Sequence, residues 1–489
     1  MIRYAGRAAL ALAQLCLCAA TAFAQAPERV PHIGNEGQKA YSAYRTLKPH
    51  RAFVISEGGG YGTGFNSATP ESAIQNAMGP CQRRDPNGTC KPYALDGHVV
   101  WGMPEEPVRA AAIARVKASA AASGGRCAAP VGRDLPSGSP ADLALAPQRL
   151  VQLNEALDAG KHDIRALLIV RDCRVAFERY KDGLSREHNQ ALYSVTKSVS
   201  ATLAGILLHQ GRLRSLDAPV ATLVPKPLSI SQDTWAKAER ITFKNVMQMS
   251  SGLDYKSDPT RHPIYAVNID RLAMALSPGF VADPGTRYNY SDGDASITGA
   301  VVASVADRNL YSFAREALLD PLQMANHDWP YPDSAGRTPG GWALRLRPMD
   351  MAKLGQLYIQ KGEWNGQRLF AAEFLEQAWM PGSVSFYALH WWIGNAREAN
   401  GTPYFYANGF KGQRIFVFPT LRAVVTLSSS LPLAEVRAVD TLIVAALVEA
   451  TGSQGPVTED ALNALKQIQD RGFAGETRIA QSEQDRPRR

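Results

Sequence analysis

Residues 192–211, LYSVTKSVSATLAGILLHQG, place Ser194 three positions before Lys197, at the start of an apolar helical pattern. Residues three apart lie on one face of a helix, so the Lys197 amine is predicted to lie beside the Ser194 hydroxyl. Burial would lower the pKa of Lys197, and a neutral lysine can take the proton of a serine. The helix N-terminus adds positive potential near Ser194. The apolar stripe that would bury this helix consists of Val195, Val199, Leu203, Ile206 and Leu207.

Two further motifs follow at intervals along the chain. ITFKNVMQMSSGLDY spans residues 241–255, and PGTRYNYSDGDASITGAVVASVA spans residues 284–306. Together with Ser194 and Lys197, these stretches resemble the penicillin-recognising serine hydrolase superfamily. That superfamily includes class C β-lactamases, D-alanyl-D-alanine carboxypeptidases, related esterases and 6-aminohexanoate-dimer hydrolase. The resemblance covers about residues 143–451 and implies the catalytic set Ser194, Lys197 and Tyr290.

Each of the later motifs departs from the family pattern. Tyr290-Ser291-Asp292 stands where the family has Tyr-x-Asn, and a carboxylate at Asp292 would raise the Lys197 pKa if it lay close. YFYANGFKGQRIFVFP, residues 404–419, stands where the family has Lys-Thr-Gly or His-Thr-Gly. It is similar to the A-x-G-x-x-G-Q variant of the 6-aminohexanoate-dimer hydrolase branch. The resemblance implies an oxyanion hole made by the backbone N–H groups of Ser194 and Phe410.

Other side chains are candidates for lining the substrate pocket. The expected substrate contacts are Asp292, Asn408, Gly409, Tyr255 and Trp391, with Tyr265 as a further candidate. Lys411 is a candidate replacement for the missing Lys or His, although a surface position suits it equally. His390 has no role left beside Lys197 and Tyr290. No metal site and no cofactor are expected, because the sequence lacks His-Glu-x-x-His and Walker motifs. It also lacks the Gly-x-Ser-x-Gly nucleophile elbow of other serine hydrolases.

The predicted function is a periplasmic serine hydrolase that cleaves an amide or ester through a Ser194 acyl-enzyme. One alternative is a D-alanyl-D-alanine carboxypeptidase or a weak β-lactamase. A second alternative, from a different class, is an envelope-binding protein that keeps the fold without catalysis. Fold alone does not fix the substrate, and the sequence leaves these alternatives open.

The N-terminus has the pattern of a secretory signal peptide, residues 1–24. Arg3 and Arg7 precede an apolar run that ends in Ala-Phe-Ala before Gln25. A membrane anchor is the alternative, but the run is short for a spanning helix. Cleavage would lower the net charge from +8 to +6. The mature protein is expected to be periplasmic or secreted, without a transmembrane segment or nucleic-acid partner, and to contact the cell envelope through its N-terminal domain.

The four cysteines that would remain after cleavage predict two disulfides in an oxidising compartment. Cys81 and Cys90 flank QRRDPNGT, whose Pro and Asn-Gly favour a turn that would bring them together. That pairing leaves Cys127 with Cys173, although four cysteines allow three connectivities.

The chain is predicted to contain two domains of α+β type. Residues 25–106 form a small domain with the order strand, glycine-rich turn, helix and strand; it resembles a family of small secreted bacterial domains. Residues 107–142, rich in Ala, Gly, Ser and Pro, are predicted to be a linker, and residues 453–489 a disordered tail. Residues 143–452 are expected to form a β-lactamase-like domain, with a mixed or antiparallel sheet between helices and a helical subdomain.

Overall fold

The computed structural model divides the chain into two compact units, residues 1–104 and 105–489. It describes residues 30–47, 51–65, 70–86, 88, 90–95, 98–99, 105–125, 127–255, 262–394, 399–452 and 457–473. The predicted signal peptide lies outside the described residues. In the part of the chain that is described, no helix is both long and apolar enough to cross a bilayer.

The N-terminal unit is one antiparallel sheet covered on both faces. Its elements are α1 (Asn35–Arg45), β1 (Ala52–Ile55), β2 (Tyr61–Gly64), α2 (Pro70–Arg84), β3 (Lys91–Leu95) and β4 (His98–Val99), with sheet order β2-β1-β3-β4. Alternate residues of a strand face opposite sides, so Phe53 packs with the tyrosines of α1 and Val54 packs with α2. The predicted turn is present, with Gly59 at φ +91°. The predicted strand, turn, helix and strand correspond to β1, the turn after it, α2 and β3, whereas α1, β2 and β4 were not predicted.

Glycines allow α2 to lie directly on this sheet. A Cβ atom at Gly62 or Gly64 would come within 1.9 Å or 1.7 Å of a carbonyl oxygen of α2. The disulfide between Cys81 and Cys90 then joins the helix to the segment before β3. The predicted pairing of these two cysteines is confirmed.

The C-terminal unit is built on a six-stranded antiparallel sheet with helices on both faces. Its first elements are α3 (Glu105–Ala122), α4 (Pro147–Ala159), β5 (Ile164–Arg171), β6 (Arg174–Tyr180), β7 (Gln190–Ala191), α5 (Val195–His209), α6 (Gln232–Arg240), α7 (Phe243–Met247), α8 (Arg271–Leu276), α9 (Asp292–Val305) and α10 (Leu310–Ala314). The remainder are β8 (Arg345–Leu346), α11 (Pro348–Ile359), β9 (Glu363–Trp364), β10 (Gln367–Arg368), α12 (Ala372–Trp379), β11 (Trp392–Ile393), β12 (Phe405–Gly409), β13 (Gln413–Phe418), β14 (Ala423–Ser429), α13 (Leu433–Gly452) and α14 (Glu459–Phe473).

The sheet order, β11-β12-β13-β14-β5-β6, joins the two ends of the domain as predicted. β5 pairs with β14 antiparallel, from Arg171 opposite Ala423 to Ile164 opposite Ser429. One face of the sheet packs against α4, α13 and α14. The other face packs against α5 and α11 and the helical region that follows α5. The predicted α+β class is confirmed.

Two segments differ from the prediction. The predicted linker contains α3, because its alanine run favours helix more strongly than the nearby Gly, Ser and Pro favour a coil. Val116 in α3 and Leu135 beyond it are buried in the main core, so residues 107–142 are part of the folded unit. The predicted tail contains α14, which packs against β6 and α4 through Leu465.

Cys127 and Cys173 form the second disulfide, which joins the segment after α3 to the turn between β5 and β6. This pairing also agrees with the prediction.

Candidate active site

Ser194 stands immediately before α5, where a strained turn presents its side chain. Tyr193, the preceding residue, has φ +47°, in the left-handed region that a bulky residue seldom adopts. Ser194 itself is half-buried and therefore reachable from solvent. Strain of this kind persists only where surrounding packing enforces it, and it is concentrated at functional sites.

Helix α5 is buried all round rather than on the predicted stripe alone. All residues from Val195 to Leu207 are buried, because the helix runs between the sheet and α9. Two of its polar side chains are satisfied inside the core: Ser198 Oγ donates to the His390 carbonyl at 2.6 Å, and Ser200 Oγ donates to the Gly340 carbonyl at 2.7 Å. The predicted apolar positions are buried, and this packing fixes the helix that carries Lys197.

Lys197 lies beside Ser194, as the spacing predicted. Its Nζ atom is 2.8 Å from Ser194 Oγ, and the residue is only 1% exposed. The expected charge state is corrected. Burial acts to lower the pKa of Lys197, but the charge of Asp292 and the nearby Tyr290 outweigh it, so that the pKa of Lys197 is raised. The lysine is an ammonium in the resting site.

Asp292 is the first residue of α9 and forms an ion pair with Lys197. Asp292 Oδ1 lies 2.6 Å from Lys197 Nζ, and the Tyr265 hydroxyl donates to Asp292 Oδ2. Both carboxylate oxygens are therefore engaged inside the site. Each of these two side chains therefore has a partner within the protein, and its contact with substrate stays a prediction.

Tyr290 lies beside Lys197. The Lys197 Nζ atom is 4.9 Å from the centre of the Tyr290 ring, and a hydrogen bond between the two side chains contributes to the raised pKa of Lys197. Ser291 caps α9 by accepting from the Asp294 amide at 3.0 Å. The three predicted catalytic side chains are therefore brought together.

The turn after β12 approaches the nucleophile from the other side. A Cβ atom at Gly409 would lie 2.3 Å from the Leu192 carbonyl oxygen, so only glycine allows the strand this close to the turn before Ser194. The Phe410 ring packs edge-on against Tyr193, with centroids 5.7 Å apart. Gln413 secures the turn by donating to the Ser429 carbonyl at 2.7 Å. This approach supports the predicted pairing of the Ser194 and Phe410 N–H groups.

Trp391 is not a pocket residue. Its side chain is fully buried and its indole N–H donates to the Tyr358 hydroxyl at 3.1 Å, so the expected substrate contact is wrong. The next residue, Trp392, is half-buried, and its ring lies 5.8 Å from that of Tyr290. Neighbouring side chains in an extended segment point to opposite faces, so Trp391 and Trp392 have different surroundings. A strand of two residues is too short for the sequence pattern to show which of the two faces the pocket.

The remaining candidates have the following positions. Tyr255 is buried, with its hydroxyl 3.0 Å from His262 Nδ1, which leaves little of it for a substrate. Asn408 is half-buried on β12 opposite Arg414, and its contact with substrate stays a prediction. Lys411 has φ +59° in the turn after β12. Burial lowers the pKa of His390 well below its usual value, so this histidine is a neutral core residue, 2.9 Å from Thr298 Oγ1.

Comparison with known proteins identifies the family. A family model described as Beta-lactamase matches residues 157–449, more than half of the chain. The protein therefore belongs to the beta-lactamase family of the penicillin-recognising serine hydrolase superfamily, as the resemblance predicted. Members of this family are serine hydrolases, and the family also includes non-catalytic members.

Two relatives are similar in sequence or fold. The 6-aminohexanoate-dimer hydrolase of Paenarthrobacter ureafaciens is 22% identical over 312 residues, which cover 58% of this chain and 76% of its own. A solved structure from Bacillus anthracis, provisionally called a 6-aminohexanoate-dimer hydrolase, has a TM-score of 0.52 and 20% identity. It covers 66% of this chain and 89% of its own. The structural similarity concerns the fold alone.

Proposed function

We propose that this protein is a serine hydrolase that cleaves an amide or ester bond through an acyl-enzyme on Ser194. The observation that carries the proposal is the contact of 2.8 Å between Ser194 Oγ and the buried Lys197 Nζ, with Tyr290 beside the same lysine. Ser194 attacks the carbonyl carbon, and its proton leaves through Lys197. Tyr290 protonates the leaving group and then activates the water that releases the acyl group. The N–H groups of Ser194 and Phe410 bind the oxyanion.

The turn after β12 favours amides and esters over β-lactams as substrates. Ala407 occupies the position where the superfamily places Lys or His, which removes a cation that would bind a substrate carboxylate. The same turn follows the pattern of the 6-aminohexanoate-dimer hydrolase branch, to which the Paenarthrobacter relative belongs. Hydrolysis of an uncharged amide or ester is therefore the first activity to screen.

A fluorophosphonate probe tests the nucleophile directly. The signal-free protein is incubated with the probe and its intact mass is measured beside Ser194→Ala. We expect one adduct on the wild type and none on the variant. Ser304→Ala, which changes an exposed serine in the last turn of α9, is the matched control and keeps the adduct. Folded wild-type protein that takes up no probe, or an adduct that survives Ser194→Ala, would contradict the proposal.

The same protein can then separate the alternatives. Rapid turnover of a chromogenic cephalosporin, or release of D-alanine from a D-alanyl-D-alanine peptide, would favour a β-lactamase or a carboxypeptidase. Binding to sacculi that survives Ser194→Ala, without any acylation, would favour a non-catalytic envelope protein.

We further propose that the protein works in the periplasm or outside the cell. The apolar N-terminal pattern and the two disulfides support an oxidising compartment. The positive net charge supports contact with an anionic envelope. Detection of the protein in the periplasmic fraction, with residues 1–24 removed, tests the location.

A further inference from the structure

The surroundings of Lys197 suit an ammonium group. Three acceptors surround its Nζ atom: Ser194 Oγ at 2.8 Å, Asp292 Oδ1 at 2.6 Å and the Gly341 carbonyl at 3.2 Å. A protonated lysine has three N–H donors and no acceptor, and these three acceptors together with the nearby Tyr290 hydroxyl leave none of the donors without a partner. A lysine in this state cannot take the Ser194 proton unless it gives up one of its own.

Asp292 is placed to receive that proton. Its Oδ1 atom is the nearest of the three acceptors, and its Oδ2 atom accepts from Tyr265. Tyr265 is held in turn by Trp342, with ring centroids 5.1 Å apart and an edge-on geometry. The carboxylate side chain is only 13% exposed, so water does not compete strongly for it. Ser194, Lys197 and Asp292 thus form a continuous hydrogen-bonded chain.

The charge of the enclosed site argues against the alternative base. The ionisable groups that face the Lys197–Asp292 pair are Tyr290, Tyr255, Tyr265 and Asp294 from the segments around α9, and Tyr387 and His390 from the segment before β11. His390 is neutral, and burial raises the pKa of Tyr255, Tyr265 and Tyr387. The pair alone has zero net charge. An anionic base in addition to this pair would make the site negative, which burial disfavours.

We propose, on the basis of the serine hydrolase function above, that Asp292 is a positioning residue that acts through Lys197 and holds the proton that leaves Ser194. As Ser194 Oγ bonds to the carbonyl carbon, the carbonyl π electrons move to the oxygen. The Ser194 proton passes to Lys197 Nζ, and one Lys197 proton passes to Asp292 Oδ1. Lys197 stays an ammonium beside the new oxyanion, and the net charge of the site stays zero.

The second half of the step returns the proton. The oxyanion re-forms the carbonyl, the bond to the leaving group breaks, and Tyr290 gives its proton to the leaving group. Tyr290 regains a proton from Lys197, which recovers its own from Asp292. The asparagine that the superfamily pattern has at this position cannot hold a proton, so this relay depends on the aspartate of this chain.

The pH dependence of acylation in Asp292→Asn tests the relay. A fluorophosphonate suits the measurement, because fluoride leaves without needing a proton from Tyr290. The pH below which the wild-type rate falls, the acid limb of its profile, is the reference. In Asp292→Asn, Lys197 must itself become neutral. We therefore expect the acid limb to move up by at least one pH unit and the rate at pH 6 to fall at least tenfold.

The proposed proton transfer to Asp292 would be overturned if the acid limb of Asp292→Asn moved to lower pH or did not move. If Lys197 or Tyr290 were the final base and Asp292 merely kept the lysine charged, Asp292→Asn would make the lysine easier to deprotonate. The acid limb would then move to lower pH and the rate at pH 6 would rise. An unchanged profile would equally show that Asp292 holds no proton in the reaction.

Two further variants separate the relay from general damage. Asp283→Asn makes the same isosteric change at a carboxylate whose side chain is 81% exposed, and it should leave the acid limb in place. Tyr265→Phe removes the hydrogen bond to Asp292 Oδ2 but keeps the carboxylate, so the acid limb should move by less than in Asp292→Asn. Circular dichroism of each variant monitors the fold.

The wild type alone provides a second test if Asp292→Asn does not fold. Carboxyl groups ionise with little enthalpy, whereas ammonium groups ionise with a large one. The acid limb of the wild type should therefore stay at the same pH between 10 °C and 35 °C, and a limb that falls clearly on warming would overturn the relay. Wild-type protein that takes up no probe at all would instead refute the proposed hydrolase function.

Discussion

Asp294 is a buried acid that the proposed chemistry does not use. It is 2% exposed, and its Oδ2 atom has no hydrogen-bond partner among the described residues. Burial raises the pKa of Asp294 to about 7, although hydrogen bonds from Ser251 act against this shift. The folded protein therefore keeps this carboxyl protonated over a range in which an unfolded chain would ionise it.

This raised pKa predicts a loss of stability as pH rises. Below about pH 4 both states are protonated and Asp294 has no effect on folding. Between about pH 4 and pH 7 only the unfolded state ionises, so the fold loses about 2–4 kcal/mol across that window. Asp294→Asn removes the ionisation, so its free energy of unfolding relative to wild type should improve from pH 4.5 to pH 8.

Urea unfolding of both proteins at several pH values measures the difference. Asp283→Asn is the control, because the Asp283 side chain is 81% exposed and the same change there should give a difference that does not vary with pH. A constant difference for Asp294→Asn as well would mean that Asp294 is ionised in the folded protein at neutral pH.

The sequence predicted which catalytic side chains meet but not their protonation. Ser194 and Lys197 are three residues apart on one helix, so local geometry was sufficient to place them together. The charge state of Lys197 depends on Asp292, which is 95 residues away, and on Tyr265. No local pattern reports such a contact. Trp391 and Trp392 were ambiguous because β11 has only two residues and gives no period to read.

At the level of helices and strands, the sequence predicted the long elements that have a regular apolar pattern. It did not predict the structure of segments that were assigned from their amino-acid composition alone. Strands β5, β6, β13 and β14 and helices α4 and α13 follow apolar patterns that the sequence displays directly. Residues 107–142, by contrast, were predicted to be a linker because they are rich in Ala, Gly, Ser and Pro. Alanine is also the best helix former, and the segment contains a helix. The predicted tail contains α14, whose apolar residues pack against β6 and α4. These are contacts with distant segments, so the local sequence does not indicate them.

Leu465 tests whether α14 stabilises the C-terminal unit. It is 3% exposed and belongs to the core between α4, α13 and the sheet. Leu465→Ala removes a buried side chain and should lower the free energy of unfolding by about 2–4 kcal/mol. Lys466→Ala, at an exposed position on the same helix, should change it by less than about 0.5 kcal/mol.

Equilibrium urea unfolding followed by tryptophan fluorescence measures both variants, since the tryptophans that the structure describes lie in the C-terminal unit. Acylation by the fluorophosphonate should persist in Leu465→Ala, because α14 contributes no residue to the site around Ser194. Equal stabilities of the two variants would show that α14 is not docked in solution.

At the scale of the whole molecule, each unit has its own core. The clusters around Phe53 and Val54 contain only residues of the N-terminal unit. The two large clusters on either face of the six-stranded sheet contain only residues of the C-terminal unit. A unit with its own core can fold by itself, and every described residue placed in the catalytic site belongs to the second unit.

The separation of the cores predicts that catalysis survives removal of the N-terminal unit. A chain of residues 105–489 should fold and react with the fluorophosphonate at a rate within about twofold of the full protein, because Ser194, Lys197, Asp292 and Tyr290 are all retained.

The fragment must keep α3 and the Cys127–Cys173 disulfide, since Val116 is part of the main core. A fragment starting at residue 143, at the end of the predicted linker, should therefore be much less stable. If the fragment from residue 105 folds but does not react, the N-terminal unit must contribute to the chemistry; if both fragments react equally well, α3 is dispensable.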